Sequence, residues 1–487
     1  MPVLFILIFT FLRFFTPSTL TAFDRELWTT FANMNDVTAI AEGDAHIYIG
    51  TTRGIRRYDR YANRWISPLT TLDGLPHNRI RDLAYDPTTG DLWVDTHAGE
   101  VVWLTRLESI SLFVEKAPPP HPHLNVPPLY LPFGYHLDAP NWIRGNRNSY
   151  AITDVHIDTW RILWLGTYGL GVGRADMRTE ELEFHRFGPL DENIKAMALD
   201  GETIWFGGSQ SQSSASRGIS RYHTGTESWT YFESENTFEI HNIKVSTILA
   251  DSTDVWFGTH QGLVRFIRKT NRWLTYRISR RNWGHVTALA RTPNRIWIGT
   301  LHGLAVYDPG VDSIRTVGGS ERFTIYDLAA GPRNVWAGTE FGMFNCPLDD
   351  VTWTPVQSED DLVRMPVNGL FADSSGVWAT LESPSALVHL PASGENWQRY
   401  PFSEVSGNRQ VGIDADSAAV WLATDMGAFR FDIRRQQFRR YLPSDGLVDE
   451  HVNSVLLQGG FVWFGTSRGA SRYRWELDFF DSTHRFK

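Results

Sequence analysis

Short runs in which apolar and polar residues alternate, broken by Gly, Asn, Asp and Thr, occupy most of this chain. A period of two marks half-buried β-strands, and no sustained 3.6-residue stripe competes with it. Around residue 250 the pattern predicts four consecutive strands. "VSTILAD" (245–251) alternates, "VWFGT" (255–259) is apolar on both faces, "GLVRF" (262–266) follows a two-residue tip, and "NRWLTY" (271–276) carries a second aromatic. In "VWFGT", Trp256 and Gly258 point one way while Val255, Phe257 and Thr259 point the other, so the strand lies between two sheets. Gly258 leaves room for a neighbour's side chain, Thr259 can bond a turn amide, and Gly262 supplies the positive φ of a tight hairpin.

The phrase recurs as "YIGTTRGIRRY" from Tyr48, "IWIGTLHGLAVY" from Ile296, "VWLATDMGAFRF" from Val420 and "VWFGTSRGASRY" from Val462. Ten anchors align: Tyr48, Trp93, Trp164, Trp205, Trp256, Trp297, Trp336, Trp378, Trp421 and Trp463. Most lie roughly forty residues apart, the length of one four-stranded propeller blade. The expected fold is all-β, a β-propeller of ten four-stranded blades, with an altered tip in the eighth ("TLESPSA" from Thr380). Unclosed blades expose faces and edges, so one ten-bladed ring is the first expectation and two five-bladed rings the alternative. "ELWTTF" (26–31) is expected to close the last blade as its outer strand, with "ELDFFD" (476–481) as the rival.

These units resemble the two-component regulator propeller repeat, whose pattern is close to Leu/Val-Trp-Ile/Phe-Gly-Thr-x-x-Gly-Leu/Ile followed by Tyr/Phe. The resemblance spans residues 36 to 474 and is nearly letter for letter in "VWFGTHQGLVRF" and "IWIGTLHGLAVYD". It extends to the links "LDGLPHNRI" (72–80) and "SDGLVDEHV" (444–452). It implies an extracytoplasmic sensor propeller of the kind found in hybrid histidine kinases, often responding to carbohydrate. A transmembrane helix and a kinase region do not follow the tenth unit, so a stand-alone propeller that binds a ligand or another exported protein is expected.

Composition narrows the partners. The 20 Trp suit a large all-β core, and a formal charge of −9 without a basic run offers nothing to a nucleic-acid backbone. Cys346 is the single cysteine, which excludes a disulfide within the chain or a cysteine metal cluster and reads as a core residue. The 16 His show no metal-ligand spacing, so neither metal nor cofactor is expected. Residues 1–22 read as a signal peptide with cleavage at Ala22, and 23–487 as the propeller without a membrane span. The location is then periplasmic or extracellular, with an uncleaved anchor as the alternative.

Candidate binding residues are those that break the repeat. Turns after the anchor strand share one face with the blade-to-blade links, and long loops on a rigid scaffold favour binding. The proline-rich insertion 116–150 brings Tyr130, Phe133, Tyr135 and Trp142, read either as a lid over a pocket or as a stabilising plug. The enlarged tip 207–218 brings Gln210 and Gln212, and other tips bring Tyr168, His260, Gln261, His302, Glu340, Phe341, Asp425 and Arg468. Aromatic, imidazole and amide groups around a mouth suit a sugar or other polar ligand. The ligand set is therefore Tyr130, Tyr135, Trp142, Tyr168, Gln210, His260, Gln261, His302 and Phe341, with no catalytic residue.

The rival function is a polysaccharide hydrolase or lyase using the inner-strand carboxylates Asp82, Asp154 and Asp327. Their slot holds Ala39, Ala196 and Thr247 in other units, and Asn368 and Asn453 fall at related places, which favours a structural role. A protein-interaction scaffold is the third reading. The series Arg57, Arg174, Arg221, Arg265, Arg430 and Arg472 reads as architecture, expected as ion pairs between blades.

Overall fold

Alternation along the first run of each unit places it innermost in an antiparallel meander, with the anchor strand, the post-turn strand and the second-aromatic strand following outward. The computed structural model describes residues 27–111, 125–138, 141–210, 216–278, 284–348, 352–356, 364–382, 385–393, 396–401 and 410–478. In blade 5, Val245–Ala250 pairs with Asp254–Thr259, then Gly262–Ile267, then Arg272–Tyr276. Ten sheets of this kind form: blades 1 to 5 at 37–69, 80–111, 149–185, 193–233 and 245–276, and blades 6 to 10 at 286–316, 325–355, 367–401, 410–441 and 452–473. Blade 3 is extended to six strands by His136–Asp138 and Trp142–Arg144 of the insertion.

The anchor phrase does what its chemistry predicts. Thr259 Oγ1 bonds the Gly262 carbonyl at 2.9 Å and accepts from the Gln261 amide at 3.1 Å, and Gly262 sits at φ 129°. The indoles of Trp164, Trp205 and Trp256 donate to Asp158, Asp200 and Asp251 in the preceding turn at 3.0, 3.1 and 3.3 Å. All ten inner strands carry a bulge at one place, as between Val245 and Thr247.

Blades are not stacked in chain order throughout. Inner strands pack successively from blade 4 to blade 10, and blade 10 packs back on blade 4. That closes a ring of seven. Trp463 and Ala470 of blade 10 share a cluster with Ile194, Phe206 and Tyr222 of blade 4. Blades 3, 1 and 2 form a separate arc in that order, since the inner strand of blade 1 packs on both others. The repeat count of ten holds, but the single ten-bladed ring and the two five-bladed rings give way to seven plus three. Chain order misled because blade 3, which follows blade 2 in sequence, packs on the other side of blade 1.

Ring closure follows the sequence expectation. Trp28–Phe31 pairs with Gly469–Tyr473 as the outer strand of blade 10, with Trp28 stacked 4.4 Å from Tyr473. Trp475–Leu477 forms a 3-10 turn instead of a strand. The arginine series is architectural, through cation–π contacts and, at Arg265, through ion pairs to Asp254 at 2.8 Å and across to Asp312 of blade 6 at 3.8 Å. Arg221, Arg265, Arg430 and Arg472 lie 5.4, 4.9, 5.7 and 5.5 Å from their own blade's anchor ring, and Arg174 spans Trp164 and Tyr58 of the next blade. In these blades the register places the arginine opposite the anchor Trp, as in Trp256↔Arg265, which brings cation and ring together.

Blade contact depends on one residue pair behind the bulge. In blade 5 it is Thr247↔Gly258, and a Cβ on Gly258 would lie 2.5 Å from Val286 of blade 6. Blade 8 reverses the arrangement as Gly369↔Thr380 and blade 9 uses Gly412↔Ala423, while the others keep glycine on the anchor strand. Blade 2 alone has none, carrying Asp82↔Asp95, and among the described residues the inner strand of blade 1 is the one that packs closely on the inner strand of blade 2. Its anchor strand Asp91–Thr96 alternates buried and half-buried residues, whereas Asp254–Thr259 is buried throughout.

Candidate interbody groove

The ring and the arc meet along a seam threaded by residues 32–36. Asn33 Nδ2 donates to the Leu190 carbonyl at 2.7 Å, Asn35 Oδ1 accepts from the Phe187 amide at 2.8 Å, and the Asn35 carbonyl accepts from Gly169 and Gly171. These asparagines are buried and bonded, so they fix the two bodies relative to each other. The insertion adds a strap: Tyr150 donates to Glu235 at 2.9 Å and Asn146 to Asn236 at 2.8 Å, joining blade 3 to blade 4.

Beside this seam lies a groove of about 1380 Å³. Its walls are the outer strands of blades 1, 3 and 4 together with the ring-closing strand and the link 186–188. Because outer strands carry the second aromatic of each unit, four blades deliver aromatic rings to it. Trp65 packs edge-on to Phe187 at 4.6 Å, and Trp229 lies 4.8 Å from Tyr222 and parallel to Tyr231. Arg186 pairs with Glu233 and donates to the Tyr135 hydroxyl at 2.9 Å. Burial opposes the charge of Arg186, but Glu233 and Tyr135 outweigh it and hold its pKa above the ordinary value.

Arg56 enters the same groove without such help. Its guanidinium carbon is 4.5 Å from the Phe187 ring centre and 5.7 Å from that of Trp65. Its Nε is buried without a partner. Burial, with Arg57 beside it, pulls its pKa down to about 10.

Of the sequence candidates, Tyr135 lines this groove. Tyr130 and Trp142 are exposed on the insertion, Tyr130 bridging to Glu181 through backbone. Tyr168 is exposed at the blade 3 tip, and Gln210 follows the strand Thr203–Ser209 of blade 4. Gln212 lies outside the described residues, as do 116–124 and 139–140 of the insertion. His260, Gln261, His302 and Phe341 occupy successive tips of blades 5, 6 and 7. His260 Nδ1 accepts from the Lys244 amide at 3.0 Å and Gln261 donates to the Asn242 carbonyl at 3.1 Å, so these two tie tip to link. Phe341 leans edge-on against Phe323.

The inner-strand carboxylates act as staples between blades. Asp154 accepts from the Ile40 amide of blade 1 at 2.7 Å and Asp327 from the Leu370 amide of blade 8 at 2.8 Å. Each also accepts from the residue after it. Asp414, which the sequence reading passed over, spans from blade 9 to Leu457 of blade 10 in the same way. Burial raises Asp327 to about 7 and Asp414 to about 6. Among the described residues Asp82 accepts from Leu83 alone.

Arg56 was missed because it adjoins the repeated Arg57. Its own slot, two residues after the turn glycine, holds Val264, Ala305, Phe429 and Ser471 elsewhere. A charge in a slot that otherwise takes apolar or small residues was the available signal.

No protein-family model and no curated protein matches the chain. Among solved structures, PorZ, a surface component of the type-IX secretion system of Porphyromonas gingivalis, superposes with a TM-score of 0.65. It is 11% identical over 92% of this chain and 87% of its own, and the likeness shows a shared propeller fold. The extracellular domain of the hybrid two-component system BT4673 from B. thetaiotaomicron gives a TM-score of 0.48 at 14% identity over 91% of this chain and 70% of its own. Virginiamycin B lyase from Staphylococcus aureus gives 0.47 at 13% identity over 58% and 94%. Among the described residues no helix is long and apolar enough to cross a membrane, and no group of His, Cys, Asp and Glu could hold a metal ion.

Proposed function

We propose that this is an exported, sensor-like binding propeller, non-catalytic, that takes a carbohydrate or other polar organic ligand in the groove between ring and arc. The groove itself carries this reading: a large concavity at the junction of two bodies, walled by aromatic rings with a few polar groups among them. Stapled carboxylates in separate blades favour binding over glycoside chemistry, which needs two carboxyl groups flanking one bond. A glycan array on the full chain, followed by calorimetry on its hits, tests the reading. Trp229→Ala should weaken binding by about tenfold or more for the lost stacking surface, and Tyr135→Phe by less, for the lost hydroxyl alone. Binding that survives both but is lost in His260→Ala or His302→Ala places the ligand on the blade tips instead.

A further inference from the structure

Arg56 is the feature of the groove that the architecture does not explain. The arginines of the repeated series oppose their anchor ring, as Arg57 opposes Tyr48, but Arg56 projects from the opposite face of its strand toward Phe187. Among the described residues it has no hydrogen-bond or ion-pair partner, although Glu183, Glu227 and Glu233 also line the groove. Glu233 is taken by Arg186. A half-buried guanidinium whose Nε is sealed from water without a counter-ion carries a desolvation cost that folding alone does not repay. A planar fork held against an aromatic ring, its carbon 4.5 Å from the ring centre, is, however, pre-organised for a bidentate oxyanion.

Resting on the reading of the groove as the ligand site, we propose that the ligand is an acidic oligosaccharide whose carboxylate or sulfate pairs with Arg56. The volume of about 1380 Å³ exceeds the roughly 300–1,000 Å³ usual for a compact small ligand, which fits an oligomer. Trp65 and Trp229 are half-buried and line the groove, so each leaves part of its ring surface open to a sugar. Carboxylate and sulfate offer the same geometry to Arg56 and differ in source: a uronic acid or a sulfated sugar.

Calorimetry on the full chain with tetragalacturonic acid, a heparin-derived tetrasaccharide and neutral cellotetraose tests this. At least one acidic probe should bind, more weakly in about 0.5 M salt because the pair is partly screened. Arg56→Met should weaken that binding about 10- to 100-fold, and Arg56→Lys less, since a point charge remains without the fork. Which acidic probe binds identifies the source. In the absence of ligand, Arg56→Met should keep or raise the thermal midpoint, because an unpaired cation is removed. A lowered midpoint with unchanged affinity would make Arg56 structural and overturn the assignment. Cellotetraose binding as tightly as the acidic probes, with Arg56→Met indifferent, rejects the charge while leaving the groove reading intact. If none of the three binds, the groove reading fails and the charge assignment with it.

Discussion

The ring of seven and the arc of three are written in one repeat yet end differently. Every ring blade has neighbours on both faces, and the anchors Trp205, Trp256, Trp297, Trp421 and Trp463 are fully buried. The arc has two terminal faces, each treated separately. At blade 3 the insertion packs Val126, Leu129, Leu131 and Tyr135 around Ile143, Val155 and Leu165. At blade 2 the interface slot carries Asp95, and Arg81 pairs with it at 2.6 Å. A repeat therefore stops either by acquiring a cover or by losing the glycine that admits a neighbour, which are two ways to protect a sheet face.

The largest test of this difference exchanges the slot residues. Gly258→Asp in the ring would drive a carboxyl group into Val286 and should cost more than about 4 kcal/mol, through a clash and an unpaired buried charge. Asp95→Gly in the arc should change stability by less than about 1 kcal/mol. Urea unfolding of both variants measures the contrast, and equal losses would abolish it. Next in size is the seal. Trp28→Ala should cost about 3–5 kcal/mol because Trp28 is buried among Tyr441, Phe464 and Tyr473. Trp93→Ala, on the free face, should cost clearly less.

The staples give a smaller effect with a sign. Burial raises Asp327 to about 7, so its folded form holds a proton more tightly than the unfolded chain does. The contribution of Asp327 is then fully present below about pH 4 and declines as pH rises through about 7. The midpoint difference between wild type and Asp327→Asn should shift against wild type from pH 4 to pH 8. Smallest is Arg81→Ala, which should leave the unfolding midpoint nearly unchanged because the Arg81–Asp95 pair is largely solvent-exposed.

Local features were legible because each blade repeats its own physics. The alternating inner strand, the Thr-capped hairpin and the closing role of 26–31 all follow from residues that contact near neighbours or a strongly patterned partner. Ring number was not legible, since which blades meet is decided by a connection whose path no periodicity encodes. One trace of it was present: Asp82 and Asp95 occupy a pair that holds a glycine in each of the other nine units. The arginine series was recognised as scaffold, and it is satisfied by cation–π contacts with the anchor rings together with charge pairing at Arg265. The groove was hidden because its walls come from blades 1, 3, 4 and 10, and Arg56 was masked by its neighbour.

The threading of residues 32–36 has a consequence for how the molecule can assemble and change. The seal joins Thr29 to Arg472, 443 positions apart, so the ring cannot lock until its last blade exists. The arc is finished by residue 185 and needs no such wait. The backbone also leaves and rejoins the ring at one point, where Asn33 bonds Leu190 and Met34 bonds Phe187. Topologically the arc is a guest lodged between the first strand of a host propeller and the remainder of that host. Its loops and faces can therefore diverge without disturbing the order in which the host's seven blades are joined.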